Sequence, residues 1–252
     1  MTCTCARGCP ESTIQRNYLW APQVELRYRT GWYGPWGVHP STSMFAIDPS
    51  FTTQLDNMTS YLNNEFSVWN LAINWIGCGG TYAGCDDYPY HSTARAFDLT
   101  AIALTGVSTF LIDSNQSWRD SLIHKRRYLA MICAARMFFG SGGVLGAGFD
   151  AGHQNHIHID NWHSLNTYNL ASISDRGIIR QILNCYEEPL INIDGSYLWN
   201  YIDDFFLNRL LLKLKMSCTH PASSIWNTLG FLHLIVKHGI ANQPAGYYTG
   251  NC

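Results

Sequence analysis

The spacing of apolar residues predicts two amphipathic helices in the first two thirds of the chain. The first covers residues 51–66, with Asp48 and Ser50 ahead of it as suitable residues for a helix start. Its apolar side chains lie three or four positions apart, at Leu55, Met58, Tyr61 and Leu62. The second helix covers residues 118–139 and ends at a glycine-rich segment.

Three segments have the apolar pattern of β-strands, namely residues 68–76, 94–104 and 155–161. Residues 1–50 instead combine Gly, Pro, Ser and aromatic residues with little periodicity. We therefore expect this N-terminal part to wrap over the core as loops.

The pattern becomes helical from about residue 172. Candidate helices cover residues 178–183, 197–216 and 223–238, and turns containing Gly or Pro join them. We predict two units: residues 1–170 with the loop-rich wrap, and residues 171–252 as a small helical module.

Composition narrows the class of protein. A chain of 252 residues with 46% apolar residues can build a packed core. The formal net charge of −2 leaves no cationic excess for a phosphate backbone, which argues against nucleic acid as a partner. No apolar run is long enough to span a bilayer, and the first residues lack the apolar core of a secretory signal.

Nine cysteines are many for a reducing cytosol, and this number favours an oxidising compartment. Cys78 and Cys85 flank a glycine-rich turn and are close enough in sequence to form a disulfide. Cys133, inside the second predicted helix, is the expected unpaired thiol. The alternative that the cysteines of residues 3–9 bind a metal lacks a second pair of ligands nearby.

Two histidine-rich segments carry the candidate chemistry. The first runs from His91 to Asp98 as His-Ser-Thr-Ala-Arg-Ala-Phe-Asp, and the second runs from His153 to Asp160 as His-Gln-Asn-His-Ile-His-Ile-Asp. A single histidine is usually structural, but this grouping of histidines with a His/Asp pair favours a metal site. The remaining histidines lack such a pattern, and we expect them to be structural or solvent-facing: His39, His124, His163, His220, His233 and His238.

Strand geometry predicts how the second segment is arranged. Side chains two apart on a strand share a face, so His156, His158 and Asp160 should point into one cleft. His153 lies upstream in a loop near glycine and can approach the same point.

The first segment requires a bend. His91 and Asp98 are seven positions apart, an odd spacing that would send them to opposite faces of a straight strand. The small residues Ala94 and Ala96 permit a close turn between them.

A catalytic zinc is held by three protein ligands with a fourth position open to water. We predict His91, Asp98 and His158 as these ligands. His156 is then free to act as the base that takes a proton from zinc-bound water, and it could later protonate the leaving amine. Asp160 is expected to orient a ligand histidine.

The spacing His91-x-x-Ala-x-Ala-x-Asp98 followed by His153-x-x-His156-x-His158 resembles the paired signatures of the LAS metallopeptidases. That group includes penicillin-insensitive murein endopeptidases, D-Ala-D-Ala carboxypeptidases and dipeptidases, and extensin-like C-terminal domains, and the extensin-like branch looks closest. The similarity covers about residues 65–162.

The resemblance implies an α+β fold with a small antiparallel sheet and flanking helices, a single Zn²⁺, and hydrolysis of peptide bonds in peptidoglycan. By that analogy His91, Asp98 and His158 match the family's ligands. His156 matches its catalytic position, and His153 accompanies it in the endopeptidase type.

The chain departs from the family pattern at several positions. Pro89 stands where the family usually has Ser, Ala94 where it has Gly, and Asp86 where extensin-like members often have Arg. The cation that would stabilise the transition state is therefore not located. Arg95 is a candidate replacement, and Tyr82 is a candidate for contact with the site or the substrate.

Residues 171–252 are more loosely similar to peptidoglycan-binding domains, which also have three helices and an Asp-Gly turn like Asp194-Gly195. The Gly and Thr that usually follow this turn are missing.

Together these features predict a monomeric zinc metallopeptidase that acts on peptidoglycan outside the cytosol. Whether it would act as an endopeptidase or a carboxypeptidase stays open. One alternative is a catalytically silent peptidoglycan-binding protein with a structural zinc, which the departures from the motif favour. Another is a metal-dependent hydrolase of a different small D-amino-acid peptide.

Overall fold

The computed structural model describes residues 13–20, 23–30, 37–38, 41–81, 90–106, 110–111, 122–147, 149–150, 152–161, 172–186 and 229–241. These residues form a mixed α+β fold with one central sheet, a separate pair of strands, and helices. The predicted α+β class is confirmed at this coarse level; the predicted small antiparallel sheet is compatible with it, although one strand pair is parallel.

The central sheet has eight strands, and only one of its strand pairs, β3 with β6, is parallel. Its main path runs, in spatial order, through β2 (Tyr18–Leu19), β3 (Val24–Thr30), β6 (Ile73–Cys78), β7 (Ala96–Leu104), β10 (Ile157–Asp160) and β9 (Val144–Leu145). Two short strands join it at the side, β4 (Gly37–Val38) on β3 and β8 (Phe110–Leu111) on β7. The separate antiparallel pair consists of β1 (Ile14–Arg16) and β5 (Phe45–Ile47).

The predicted strands 94–104 and 155–161 correspond to β7 and β10. The predicted strand 68–76 starts later, at Ile73, because the chain first turns through Asn70, whose φ of 57° is left-handed. Asn tolerates this conformation better than most residues, so it suits the turn.

The expectation that residues 1–50 are a loop-rich wrap was wrong, because this part supplies five strands. In β3, the buried Val24 and Leu26 alternate with the partly exposed Glu25 and Arg27, which is the pattern of a strand with one face on a core. Composition averaged over the whole segment concealed this local alternation.

Four helices lie in the described part of the chain: α1 (Pro49–Ser67), α2 (Leu122–Phe138), α3 (Ile173–Tyr186) and α4 (Leu229–Ala241). The start of α1 is as predicted, since Asp48 Oδ1 accepts hydrogen bonds from the backbone nitrogens of Ser50 and Phe51 at 2.9 and 3.2 Å. The predicted helices 51–66 and 118–139 correspond to α1 and α2, although residues 118–121 lie outside the described residues.

The two C-terminal helices share one hydrophobic core with the sheet and α1 and α2, because residues such as Ile179 and Ile235 belong to the same cluster. Helix α4 packs closely on α2. A Cβ atom at Gly239 would collide with the Arg126 carbonyl and the Ala130 side chain, so glycine permits this packing. Helix α3 covers and extends the predicted 178–183, and α4 covers the described part of the predicted 223–238, since residues 223–228 lie outside the described residues. The predicted helix 197–216 lies outside the described residues, and the boundary at residue 171 stays a prediction.

A buried ion pair ties α3 to α2. Arg136 Nε and Nη2 donate to Asp175 Oδ1 and Oδ2 at 2.7 and 3.1 Å, and both side chains are almost completely buried. The Ser141 hydroxyl also donates to Asp175 Oδ2, at 2.8 Å. This bidentate geometry satisfies both carboxylate oxygens within the protein.

The predicted disulfide between Cys78 and Cys85 was wrong, because Cys78 is a free and buried thiol that donates to the Gly80 carbonyl at 3.3 Å. Cys133 is free, as predicted, and so is Cys185. None of the helices in the described ranges combines the length and the apolar character that crossing a membrane requires.

Candidate metal centre

Two neighbouring strands position the centre of the site. Asp98 on β7 lies directly opposite His158 on β10, and Ala96 lies opposite Asp160. Because side chains alternate along a strand, Asp98, His158 and Asp160 share one face, while Ile157 and Ile159 point into the hydrophobic core. The predicted alternation in the second segment is therefore present.

A bulge in β7 directs Asp98 away from the core. Ala101 pairs with Gly77, but the next residue of β6, Cys78, pairs with Leu99, so β7 has one extra residue here. Ile102 and Leu99 both point into the core although they are three positions apart. The bulge thus places Asp98 on the opposite face from Ile102, although unbroken alternation would put these two residues on the same face.

The predicted bend between the two ends of the first segment is also present. Residues His91–Thr93 form a short 3₁₀ helix, and Ala94 follows in the left-handed region with φ of 57°. The Arg95 nitrogen then donates to the Tyr90 carbonyl at 3.1 Å. This reversal returns the chain to β7, so that His91 and Asp98 meet despite their odd spacing.

The three predicted ligands converge. His91 Nε2 lies 3.4 Å and His158 Nδ1 lies 3.1 Å from Asp98 Oδ1. One ligand atom from each of the three residues lies within 4.8 Å of the others. Ligand atoms about 2.0–2.1 Å from a tetrahedral metal are themselves about 3.3 Å apart. The spacing therefore fits a divalent ion, and we call His91, Asp98 and His158 the metal-binding cluster.

His156 lies beside this cluster with its lone pair directed inward. Its Nδ1 donates to Asn155 Oδ1 at 2.7 Å, which leaves Nε2 without the proton in the neutral ring. That Nε2 is 3.7 Å from Asp98 Oδ1. Two facing lone pairs repel each other unless a cation or a proton lies between them, and this geometry also fits a metal ion nearby.

Asp160 occupies the outer side of His158. It is completely buried, and its Oδ2 is 3.4 Å from His158 Nε2. His158 thus presents Nδ1 to the cluster and Nε2 to a carboxylate, which is the usual arrangement of a metal-binding histidine. This is the orienting position that the sequence predicted for Asp160.

The charges within the cluster affect one another strongly. Burial would raise the pKa of Asp98, but hydrogen bonds from His158 and His91 hold it well below its usual range. Burial would lower the pKa of His158, yet Asp160 and Asp98 raise it to about 9. For His156, burial lowers the pKa to about 4, and the neighbouring imidazoles add to this effect.

His153 lies next to His156, with 5.1 Å between the ring centroids. Its Nδ1 donates to Asp150 Oδ1 at 2.7 Å. Neither Asp150 nor Asn155 was identified from the sequence. The sequence did offer one signal for Asp150, which stands three positions before His153. At this spacing an Asp side chain can accept a hydrogen bond from the backbone nitrogen of the later residue.

The predicted residue Arg95 does not join the cluster. Arg95 Nε lies 3.7 Å from Asp48 Oδ2, and its Nη2 donates to Ser50 at 3.4 Å, so it pairs with the start of α1. Tyr82 lies outside the described residues, as does His163. Among the histidines expected to be structural, His233 bonds through Nδ1 to the Tyr61 hydroxyl at 2.6 Å and connects α4 to α1.

Side-chain exposure shows that the cluster is sheltered but not sealed. The Asp98 and His156 side chains are 22% and 20% exposed, whereas His91 and His158 are about half as exposed. A small molecule or an extended chain could therefore reach the carboxylate side of the cluster. No protein-family model, no curated protein and no solved structure matches this chain.

Proposed function

We propose that this protein is a zinc-dependent hydrolase that cleaves peptide bonds in peptidoglycan, with a fold of the LAS type. The observation that carries the proposal is the convergence of His91 Nε2 and His158 Nδ1 on Asp98 Oδ1, from two segments about sixty residues apart in the chain. The order and spacing of these residues, which resemble the LAS signatures, support the choice of reaction.

The donor set supports zinc in particular. Two imidazoles and one carboxylate supply N and O atoms, which suit zinc better than calcium or magnesium, because these prefer oxygen alone. Three protein ligands also leave a coordination position open, as catalytic zinc sites do. When bound, zinc would act as a Lewis acid that polarises a carbonyl and makes water more acidic.

The protein's own groups supply the proton transfers. His156 would receive a proton at Nε2, because Asn155 holds the Nδ1 proton on the far side of the ring. Asp160 would keep His158 oriented with Nδ1 toward the cluster. The hydrogen bond at His156 Nδ1 and the ion pair at His158 Nε2 support these two ring orientations.

The substrate and the location follow from the same proposal. Peptidoglycan lies outside the cytosol, so the protein would act there, and residues 171–252 would serve as a wall-binding module. The high cysteine content is consistent with an oxidising environment, although the three described cysteines are free. The alternative substrate, another small D-amino-acid peptide, would use the same residues.

A second function is favoured by the position of His156. Because its Nε2 is 3.7 Å from Asp98 Oδ1, it could become a fourth ligand and close the coordination sphere. Four protein ligands are characteristic of structural zinc. The protein would then bind the wall without cleaving it.

The test combines metal analysis with wall digestion. The purified protein should contain one zinc per chain and should release muropeptides with new amino termini from isolated sacculi. Changing His156 to Ala should abolish release and leave the zinc in place, whereas His124→Ala, on α2 and outside both motifs, should have no effect. Binding to sacculi without new amino termini would instead support the structural zinc, and hydrolysis of free D-amino-acid dipeptides alone would support the other substrate.

A further inference from the structure

The loop before β10 contains a carboxylate that the proposed reaction does not yet use. Asp150 Oδ1 accepts two hydrogen bonds from the same residue, one from the His153 backbone nitrogen at 3.0 Å and one from His153 Nδ1 at 2.7 Å. The first bond fixes the local turn, and the second fixes the ring. A single oxygen therefore couples the backbone conformation of His153 to the orientation of its side chain.

This contact also selects one tautomer of the histidine. An ionised carboxylate accepts hydrogen bonds and cannot donate them, so the His153 Nδ1 that faces it must carry the proton. In the neutral ring Nε2 then holds the lone pair. Slight burial would raise the pKa of Asp150, but hydrogen bonds from His153 and Gly152 lower it, so the carboxylate stays ionised at neutral pH.

The loop is anchored so that the carboxylate is held in place. The Tyr128 hydroxyl on α2 accepts a hydrogen bond from the Ala147 nitrogen at 2.8 Å. A Cβ at Gly146 would collide with that hydroxyl and with Ile132, so the loop lies directly on the helix. The Phe149 nitrogen then donates to the Gly146 carbonyl at 2.8 Å and turns the chain toward Asp150.

The His153 ring lies between an aromatic side chain and the candidate base. The Phe149 ring meets it edge to face with 5.4 Å between centroids, and the His156 ring is 5.1 Å away. The His158 ring is 6.1 Å away. With Nδ1 committed to Asp150, Nε2 is the nitrogen of this ring that remains for another partner.

We propose that Asp150 is a positioning residue that holds His153 in the Nδ1–H tautomer and thereby leaves Nε2 for proton transfer. The proton-transfer part rests on the proposed function, whereas the tautomer does not. In peptide hydrolysis the water oxygen bonds to the carbonyl carbon, and the C–N bond breaks with its electron pair going to nitrogen. One proton of the water ends on that nitrogen: His156 Nε2 would take it from the water, and the neighbouring His153 Nε2 would pass it to the nitrogen.

The first test measures the tautomer directly in the metal-free protein. Side-chain ¹⁵N–¹H correlation NMR, with the His153 signals assigned by their absence in His153→Gln, should show a protonated Nδ1 and an unprotonated Nε2. Asp150→Asn should diminish or reverse this pattern, because an amide can also offer an N–H to the ring, and Asp150→Glu should restore part of it. An unchanged pattern in Asp150→Asn would overturn the proposal.

The second test measures turnover of the zinc-loaded protein on muropeptides. Asp150→Asn should lower kcat on the order of 10²-fold, the low end of what a positioned acid–base group contributes, with KM and zinc content unchanged. Full kcat together with a changed tautomer would overturn the proton-transfer role. If the unmodified protein itself releases no products, the proposed function fails, and the NMR result still decides whether Asp150 positions His153. Asp150 is about half exposed, so its replacement should leave folding intact.

Discussion

The buried ion pair and the metal-binding cluster are two groups of largely buried charged side chains among the described residues. They differ in how their polar atoms are hydrogen-bonded. In the buried ion pair, each oxygen of Asp175 has its own donor from Arg136, and Ser141 adds one more. At the metal-binding cluster, Asp98 Oδ1 lies 3.1 Å from a nitrogen of His158 and 3.4 Å from a nitrogen of His91. A nitrogen of the neighbouring His156 lies 3.7 Å from the same oxygen.

The difference separates a carboxylate whose two oxygens have their own donors from a carboxylate oxygen that several nitrogens share. In the buried ion pair, each oxygen of Asp175 has a donor within the protein. In the metal-binding cluster, histidine nitrogens crowd around one oxygen, and either protons or a cation must lie between them. Burial of charge alone would not distinguish the two. The number of nitrogens that share one oxygen does.

The largest effect should come from removing the shared carboxylate. Asp98→Ala should lower zinc affinity by more than about a hundredfold, because even changes around metal ligands cost 10–100-fold, and wall hydrolysis should disappear with it. The metal-free variant should also lose part of the stability that His158 contributes below about pH 6.5, because Asp98 helps to raise the pKa of His158. Isothermal titration with zinc and urea denaturation measure the two quantities. Zinc affinity equal to that of the unmodified protein would exclude Asp98 as a ligand.

Breaking the buried ion pair should lower the stability of the protein and leave its zinc affinity unchanged. Arg136→Met leaves Asp175 buried without its counterion and should reduce the free energy of unfolding by about 3–5 kcal/mol. Replacing both partners, as Arg136→Met with Asp175→Leu, should recover most of this loss. At temperatures where the single variant stays folded, its zinc affinity should be normal. A loss of zinc binding there would show that the two sites are not independent.

The metal-binding cluster should make stability depend on pH in the metal-free protein, whereas the buried ion pair gives no such prediction. The pKa of His158 rises from 6.5 in the unfolded chain to about 9 in the folded one. Its contribution to the free energy of unfolding is therefore complete below about pH 6.5 and is lost as the pH rises through 9. Urea midpoints at pH 6 and pH 9.5 should show this decline. It should be absent in His158→Ala and reduced by saturating zinc, which takes the place of the proton.

The smallest effect concerns the residue that orients a ligand. Asp160→Asn should weaken zinc binding by about 10–100-fold without abolishing it, because His158 keeps its place on β10 but loses the carboxylate at Nε2. Competition with a chelator of known affinity measures this change. If Asp160→Asn removed zinc as completely as Asp98→Ala, Asp160 would have to be regarded as a ligand.

Local patterns were sufficient to predict much of the site. The alternation of residues 156–160 placed His158 and Asp160 on one face, and the odd spacing of His91 and Asp98 required the bend that Ala94 makes. Both inferences needed only the geometry of a strand. Helix α1 was predicted from the same kind of spacing, together with Asp48 as its cap.

Other features depend on contacts that the sequence does not show. Asp150 and Asn155 are important only because their side-chain oxygens lie 2.7 Å from the Nδ1 atoms of His153 and His156. Cys78 looked suited to a disulfide because of a nearby cysteine, but its position on the core face of β6 buries the thiol. The strands before residue 50 were missed because their alternation is short and interrupted.

The extra residue near Thr100 divides β7 into two halves that are out of phase. Beyond it, even-numbered side chains such as Ile102 enter the interior, and before it, the even-numbered Asp98 leaves it. Deletion of this one residue would turn Asp98 toward the core and place the apolar Leu99 on the opposite face. The position of Asp98 opposite His158 thus depends on one additional residue in the strand that joins the two halves of the sheet.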